Sequence, residues 1–110
     1  KHKYSKEAVK ELKKAIDQIC TIYRESIQRI SGDDDITIQD VQSQKESIMN
    51  LDEKIRKNHI FRVGKGKCDS KLTAPFNEVL HNIERIGNSC VNLVEVAEDK
   101  AIMQSLLAED

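Results

Sequence analysis

The stretch Phe76-Asn77-Glu78-Val79-Leu80-His81-Asn82-Ile83-Glu84-Arg85-Ile86-Gly87-Asn88-Ser89-Cys90-Val91-Asn92-Leu93-Val94 decides the fold. Phe76, Val79, Leu80, Ile83, Ile86, Cys90, Val94 and then Ala97 recur mostly at spacings of three and four. At about 100° per residue, that spacing gathers them on one side of an α-helix. Thr73 is a residue type suited to an N-cap, and Pro75 is tolerated in a first turn that needs no intrahelical N–H bond. The pattern predicts a helix over about residues 73–107.

Working upstream, Gly64-Lys65-Gly66 reads as a turn, because its glycines lack the spacing of a phosphate-binding loop and no strand precedes them. Before it, Val41, Ile48, Leu51, Ile55 and Val63 mark the inner stripe of a second helix over about 37–63. Thr37 with Asp40 three residues on forms a capping box at its start. A first helix over about 5–31 carries Val9, Leu12, Ile16, Ile19, Tyr23, Ile27 and Ile30 as its expected inner stripe, and Ser31-Gly32 ends it. Asp33, Asp34 and Asp35 form the next turn. They lack the alternating ligands and distal glutamate of a calcium loop, and acids ahead of a helix are favourable in any case. Two short connections force antiparallel neighbours, so the expected fold is all-α: an up-down-up antiparallel three-helix bundle forming one domain over 1–110.

The bulk numbers agree with one small core. The chain has 110 residues, 38% hydrophobic and 34% charged, with only 4% aromatic, so Ile, Leu and Val must fill the interior. Eighteen Lys and Arg against 19 Asp and Glu leave a net charge of −1, which speaks against a nucleic-acid binder. No apolar run approaches the roughly 18 residues of a spanning helix. Cys20, Cys68 and Cys90 are odd in number and far apart, which argues against a disulfide framework or zinc knuckle and for a reducing compartment. Cys20 and Cys90 are expected to pack in the core. Lys1, Lys3, Lys6, Lys10, Lys13 and Lys14 crowd the start of the first helix, against the helix dipole. That run leads to the expectation that the helix or a linker continues upstream in a longer protein, where basic residues following a membrane span would obey the positive-inside rule. A plain solvated face accounts for the same charges.

Beside the apolar stripe of the third helix runs a polar one: Asn77, His81, Glu84, Asn88, Asn92 and Glu95. Short amides and acids there, in place of Lys and Arg, mark a candidate recognition or metal surface; the alternative is a half-exposed flank bonding to the second helix. Lys45, Asp52 and His59 stand seven apart near the second helix's inner stripe. A charge in that place needs a partner, and Asp52 or His59 is expected to face the seam. Cys68 lies near His59 in the chain, with nothing local to orient the pair as nucleophile and base, and no other catalytic pairing stands out.

The run from Phe76 to Asn92, with Glu84-Arg85-Ile86-Gly87-Asn88 at its centre, resembles the Glu-Arg-Ile-Gly-Asp motif of PhoU domains. Ile55-Arg56-Lys57-Asn58-His59-Ile60-Phe61-Arg62, with the following turn to Cys68, resembles the PhoU-like domains attached C-terminally to bacterial sodium/phosphate cotransporters. The resemblance covers about residues 48–97. It implies a non-enzymatic three-helix bundle regulating phosphate transport from the cytoplasmic side of the inner membrane. The implied partner is a transmembrane phosphate transporter domain, in the same chain or separate. It also implies a homodimer matching the tandem bundles of other members. A standalone phosphate-uptake regulator and a generic helical interaction module remain as alternatives. Some members hold multinuclear metal clusters on acids of the second and third helices. Here Glu84 keeps one acid, but Asn88 replaces the aspartate and Ser89 a frequent histidine. Lys45 and Met49 fall near the second helix's acid positions. Glu84 and Asn88 are thus the only metal candidates. Weak binding or none is expected, and no cofactor.

Overall fold

The structure, a computed structural model, describes residues 4–108. Three helices account for nearly all of them: α1 (Lys6–Ile30), α2 (Ile38–Gly64) and α3 (Thr73–Ala108), with a single 3-10 turn, Ser70–Leu72, ahead of α3. They run up, down and up in a rod of 68 × 21 × 19 Å. Lys1 and Lys3 of the basic run lie outside the described residues.

The helix ends are built by the local chemistry. Ser5 caps α1, its hydroxyl accepting from the Ala8 amide at 3.1 Å. Thr37 and Asp40 form the reciprocal box on α2, at 3.1 and 2.9 Å, satisfying two amides that the first turn leaves free. Gly32 and Gly66, at φ of 107° and 71°, take the left-handed positions that close α1 and α2. Asp33 turns the first connection by accepting from the Asp35 amide. Thr73 departs from expectation. Its backbone is already helical (φ −62°, ψ −47°), because the Ser70–Leu72 turn runs straight into α3, and its hydroxyl meets His59 Nε2.

Each helix contributes a 4-3 repeat to one shared core. Ala8, Ala15, Ile19, Ile22 and Ser26 are buried on α1; Val41, Ile48, Asp52, Ile55, His59 and Arg62 on α2; Phe76, Leu80, Ile83, Gly87, Cys90, Val91 and Val94 on α3. This corrects the expected stripe of α1. Ile19 is buried and Leu12 packs against the core as expected, but Val9, Ile16, Tyr23, Ile27 and Ile30 are 40–56% exposed, because Ala8, Ala15, Ile22 and Ser26 take the remaining places facing the neighbouring helices. The true inner row lies roughly 80° around the helix from the expected one. Val79 and Ile86 of α3 are likewise exposed. Cys20 is exposed and Cys68 buried, whereas Cys90 packs in the core as expected. No helix among the described residues is long and apolar enough to cross a membrane.

Gly87 sits buried in mid-helix, which costs helix stability. A Cβ there would meet Ile19 Cδ1 at 3.6 Å and Lys45 Cγ at 3.8 Å, ordinary contact distances. Gly87→Ala is therefore expected to raise stability by about 0.5–1 kcal/mol in thermal or urea unfolding. Gly87→Leu should lower it by about 1–3 kcal/mol through overpacking.

Candidate functional site

One of the two inner rows of α2 is polar along its length. Lys45 is half-buried near Gly87, while Asp52 and His59 are fully enclosed. The bundle supplies partners for the last two, and these define the candidate site on the α2–α3 side.

Asp52 has no N–H or O–H donor within reach of either carboxylate oxygen. Its neighbour across the interface is a second carboxyl, Glu84, only 13% exposed, whose Oε2 accepts from Arg56 Nη1 at 2.7 Å. Two enclosed carboxylates cannot both stay charged beside one guanidinium. Burial first, then the hydrogen bond to Glu84 and its negative charge, push Asp52 up to about 7, with Arg56 pulling the other way. Burial also pushes Glu84 up. The hydrogen bonds from Arg56 and Asp52, with the positive charges of Arg56 and His81, outweigh it and hold Glu84 below the usual carboxylate range. Asp52 is thus protonated below about pH 7 and ionised above it, beside a charged Glu84 anchored by Arg56. The group can store or release a proton near neutrality.

Two turns further along α2, the His59 ring stacks on Phe76 with centroids 4.4 Å apart and planes 14° from parallel. Its Nε2 lies 2.9 Å from Thr73 Oγ1 and its Nδ1 3.8 Å from Cys68 Sγ. Burial, followed by the charge of Arg62, holds His59 below the ordinary imidazole value despite the opposing charge of Glu11. The ring therefore works as a neutral tie between the end of α2, the turn and the start of α3. Glu11 joins the same end to α1 by accepting from Asn58 Nδ2 and Arg62 Nη2, both at 2.6 Å. Cys68 and His59 lie side by side but are enclosed, with Phe76 over the ring, so the thiol has no open approach for a substrate. Burial pushes the Cys90 thiol up against a smaller opposing effect of the neighbouring Ser26, which leaves that sulfur inert as well.

Of the polar seam, Glu84 turns inward and Asn77 is half-buried, while His81, Asn88, Asn92 and Glu95 are exposed. Asp52 and His59 are both in the interior, but only Asp52 meets the seam, through Glu84. The donor set does not fit a multinuclear metal centre. Arg56 already holds Glu84, Asp52 holds its proton up to about pH 7, Lys45 places a cation on the same row, and Met49 and Asn88 point outward as uncharged, exposed groups.

Sequence reasoning missed Arg56 as a partner. Its place one turn after Asp52, on the α3 side, was the available signal. It also missed the exposed apolar strip shared by α1 and α3. Tyr23, Ile86 and Leu93 line one groove there, and Ile30, Leu93 and Val96 line the next.

The model of the PhoU domain matches residues 6–97. No curated protein and no solved structure matches the chain. The matched span holds all of α1 and α2 and the part of α3 that packs on them, including the Asp52–Glu84 pair and the His59 tie, so the chain belongs to the PhoU domain family, whose members are regulatory, non-catalytic helical proteins of phosphate uptake.

Proposed function

We propose that this domain regulates a sodium-dependent phosphate cotransporter from the cytoplasmic side of the inner membrane, docking by its helix faces onto the transporter and pairing with a second copy of itself. The observation that carries the reading is the α1–α3 strip. Ile16, Tyr23, Ile27 and Ile30 on one helix and Val79, Ile86, Leu93 and Val96 on the other leave a long apolar face uncovered. Asn82, Arg85 and Ser89 border Tyr23, Ile86 and Leu93 there, and an apolar patch with a polar rim marks an interaction site. Two such strips cover one another about a two-fold axis, the self-complementary arrangement of a homodimer, and the resemblance to tandem bundles supports that pairing. The cotransporter assignment is supported by the resemblance over residues 55–68. In this chain that segment builds the His59–Cys68 junction.

Sedimentation at micromolar concentration tests the pairing. The expected result is a dimer, weakened about 100-fold by Ile86→Glu, which would bury an unpaired carboxylate from each copy. Helical content should not change, because Ile86 is outside the core. Phosphate uptake in cells expressing the cotransporter tests the assignment: Ile86→Glu should uncouple uptake from phosphate status. A strict monomer would remove the dimer, and uptake insensitive to the domain would leave the standalone regulator as the better reading.

A further inference from the structure

The net charge of −1 conceals a strong axis. Up-down-up topology brings the start of α1, the end of α2, the turn and the start of α3 to one end of the rod. Residues 6–14 and 54–81 carry eleven Lys and Arg against four Asp and Glu. Residues 22–50 and 88–108, which form the other end, carry four against nine. Some charges of the basic end are spent internally: Arg62 on Glu11, Arg56 on Glu84, and Lys57 on Glu53 at 3.2 Å. Lys54, Lys65, Lys67 and Lys71 are exposed at that end, as are Lys6 and Lys10.

Amid those lysines stand two large apolar residues that the core does not use. Ile60 and Phe61, on the outer face of the last turn of α2, are 65% and 63% exposed. Lys65 Nζ lies 5.5 Å from the centre of the Phe61 ring. An exposed aromatic and an exposed aliphatic side chain on the outer side of α2, with exposed lysines in the same end of the rod, match the chemistry of an anionic bilayer surface. The two apolar side chains enter the boundary between headgroups and acyl chains, while the lysines stay with the phosphates.

We propose that the basic end, with Ile60 and Phe61 as its apolar patch, binds the surface of an anionic lipid bilayer. The acidic end then points away from the membrane, so the charge axis orients the rod as well as holding it. An acidic protein would satisfy the lysines but gives no equal reason for an exposed Ile-Phe pair. This inference goes beyond the transporter reading and does not depend on it, since every group involved belongs to this chain.

The chain has no tryptophan, so Phe61→Trp installs a single reporter in the patch. The described protein carrying it is mixed with vesicles of phosphatidylcholine alone, and of phosphatidylcholine with phosphatidylglycerol. A blue shift and co-sedimentation are expected with the anionic vesicles only, declining as salt shortens the reach of the charges. Each surface lysine supports about fivefold in affinity, so Lys65→Glu and Lys67→Glu together should reduce binding at least about twentyfold. Ile60→Ser in the same reporter protein should leave weaker binding with less blue shift. Lys100→Glu, at the far end, should change nothing. Equal binding to neutral vesicles, no binding to either, or indifference to the lysine substitutions would overturn the proposal. Capture of an acidic protein by this face without vesicle binding would assign it to a protein partner and overturn it too. None of these readouts involves phosphate uptake, so the transporter reading stands or falls separately.

Discussion

At pH 8 the Asp52→Asn protein resists urea better than the unsubstituted one, and the difference disappears as the pH falls toward 4. The reason is linkage. In the folded chain Asp52 is raised from 3.8 to about 7, so between those values the folded state holds a proton that the unfolded state has released. The stability of the unsubstituted chain is then fully present below about pH 4 and is lost as pH rises through about 7. Roughly three units correspond to about 4 kcal/mol at most, and relaxation around the pair makes about 2–4 kcal/mol the expected gain at pH 8. Asn keeps the shape and a donor for Glu84, but sheds no proton. Two other groups titrate in the opposite sense. Glu84, whose carboxyl is lowered, contributes stability above its unfolded value that is lost only in more acidic solution. His59, also lowered, contributes above its unfolded value of about 6.5, and that contribution is lost as pH falls. His59 is common to the two proteins, whereas Glu84 interacts with Asp52, so the difference between their urea midpoints reports the titration of the Asp52–Glu84 pair. A difference independent of pH, or Asn destabilising at pH 8, would refute a protonated Asp52.

The contrast between the helix ends and the helix faces explains what the sequence made legible. Ser5, the Thr37–Asp40 box, Gly32 and Gly66 act within four residues of themselves, so their effect is written locally. The face of α1 is not local. Counting large apolar residues selects Val9, Ile16 and Tyr23 with Ile19, but only Ile19 of these is buried, and Ala8 and Ala15 join it in the interior. A small side chain lets another helix come close, and only the neighbouring helix reveals that advantage. The same holds for Cys20, which the apolar pattern places in the core and the structure leaves exposed.

The candidate site was half legible for a related reason. The seven-residue spacing of Lys45, Asp52 and His59 exposed a polar row in a position that should be apolar. Its resolution required other helices: Glu84 to share a proton, Arg56 to hold Glu84, and Phe76, Thr73 and Cys68 to surround the ring of His59. The charge axis has the same status. It is invisible in a net charge of −1 and follows at once when antiparallel packing brings distant lysines to one end.

Phe76→Ala is expected to cost about 3–5 kcal/mol, measured by urea unfolding at pH 7. Phe76 is fully buried and serves two contacts besides the core, the stacked His59 and a tilted Tyr4 ring at 5.7 Å. Removing it opens a cavity at the end of the bundle where few layers remain to collapse into it. It also frees one face of an imidazole whose two nitrogens are tied to Thr73 and Cys68. Part of the loss should therefore belong to the pair, not to Phe76 alone. A double-mutant cycle with His59→Ala is expected to give a coupling of about 0.5–1.5 kcal/mol, the range for stacked rings. Phe76→Leu, which keeps most of the volume, should cost well under the alanine value while abolishing the same coupling. Phe61→Ala provides the internal comparison. That ring is 63% exposed, and its loss should move stability by no more than about 0.5 kcal/mol. Equal costs at the two phenylalanines would mean that the His59 junction does not hold this end together. A large cost at Phe76 with no coupling to His59 would assign the stability to volume alone, and His59 to some role other than tying α2 to α3.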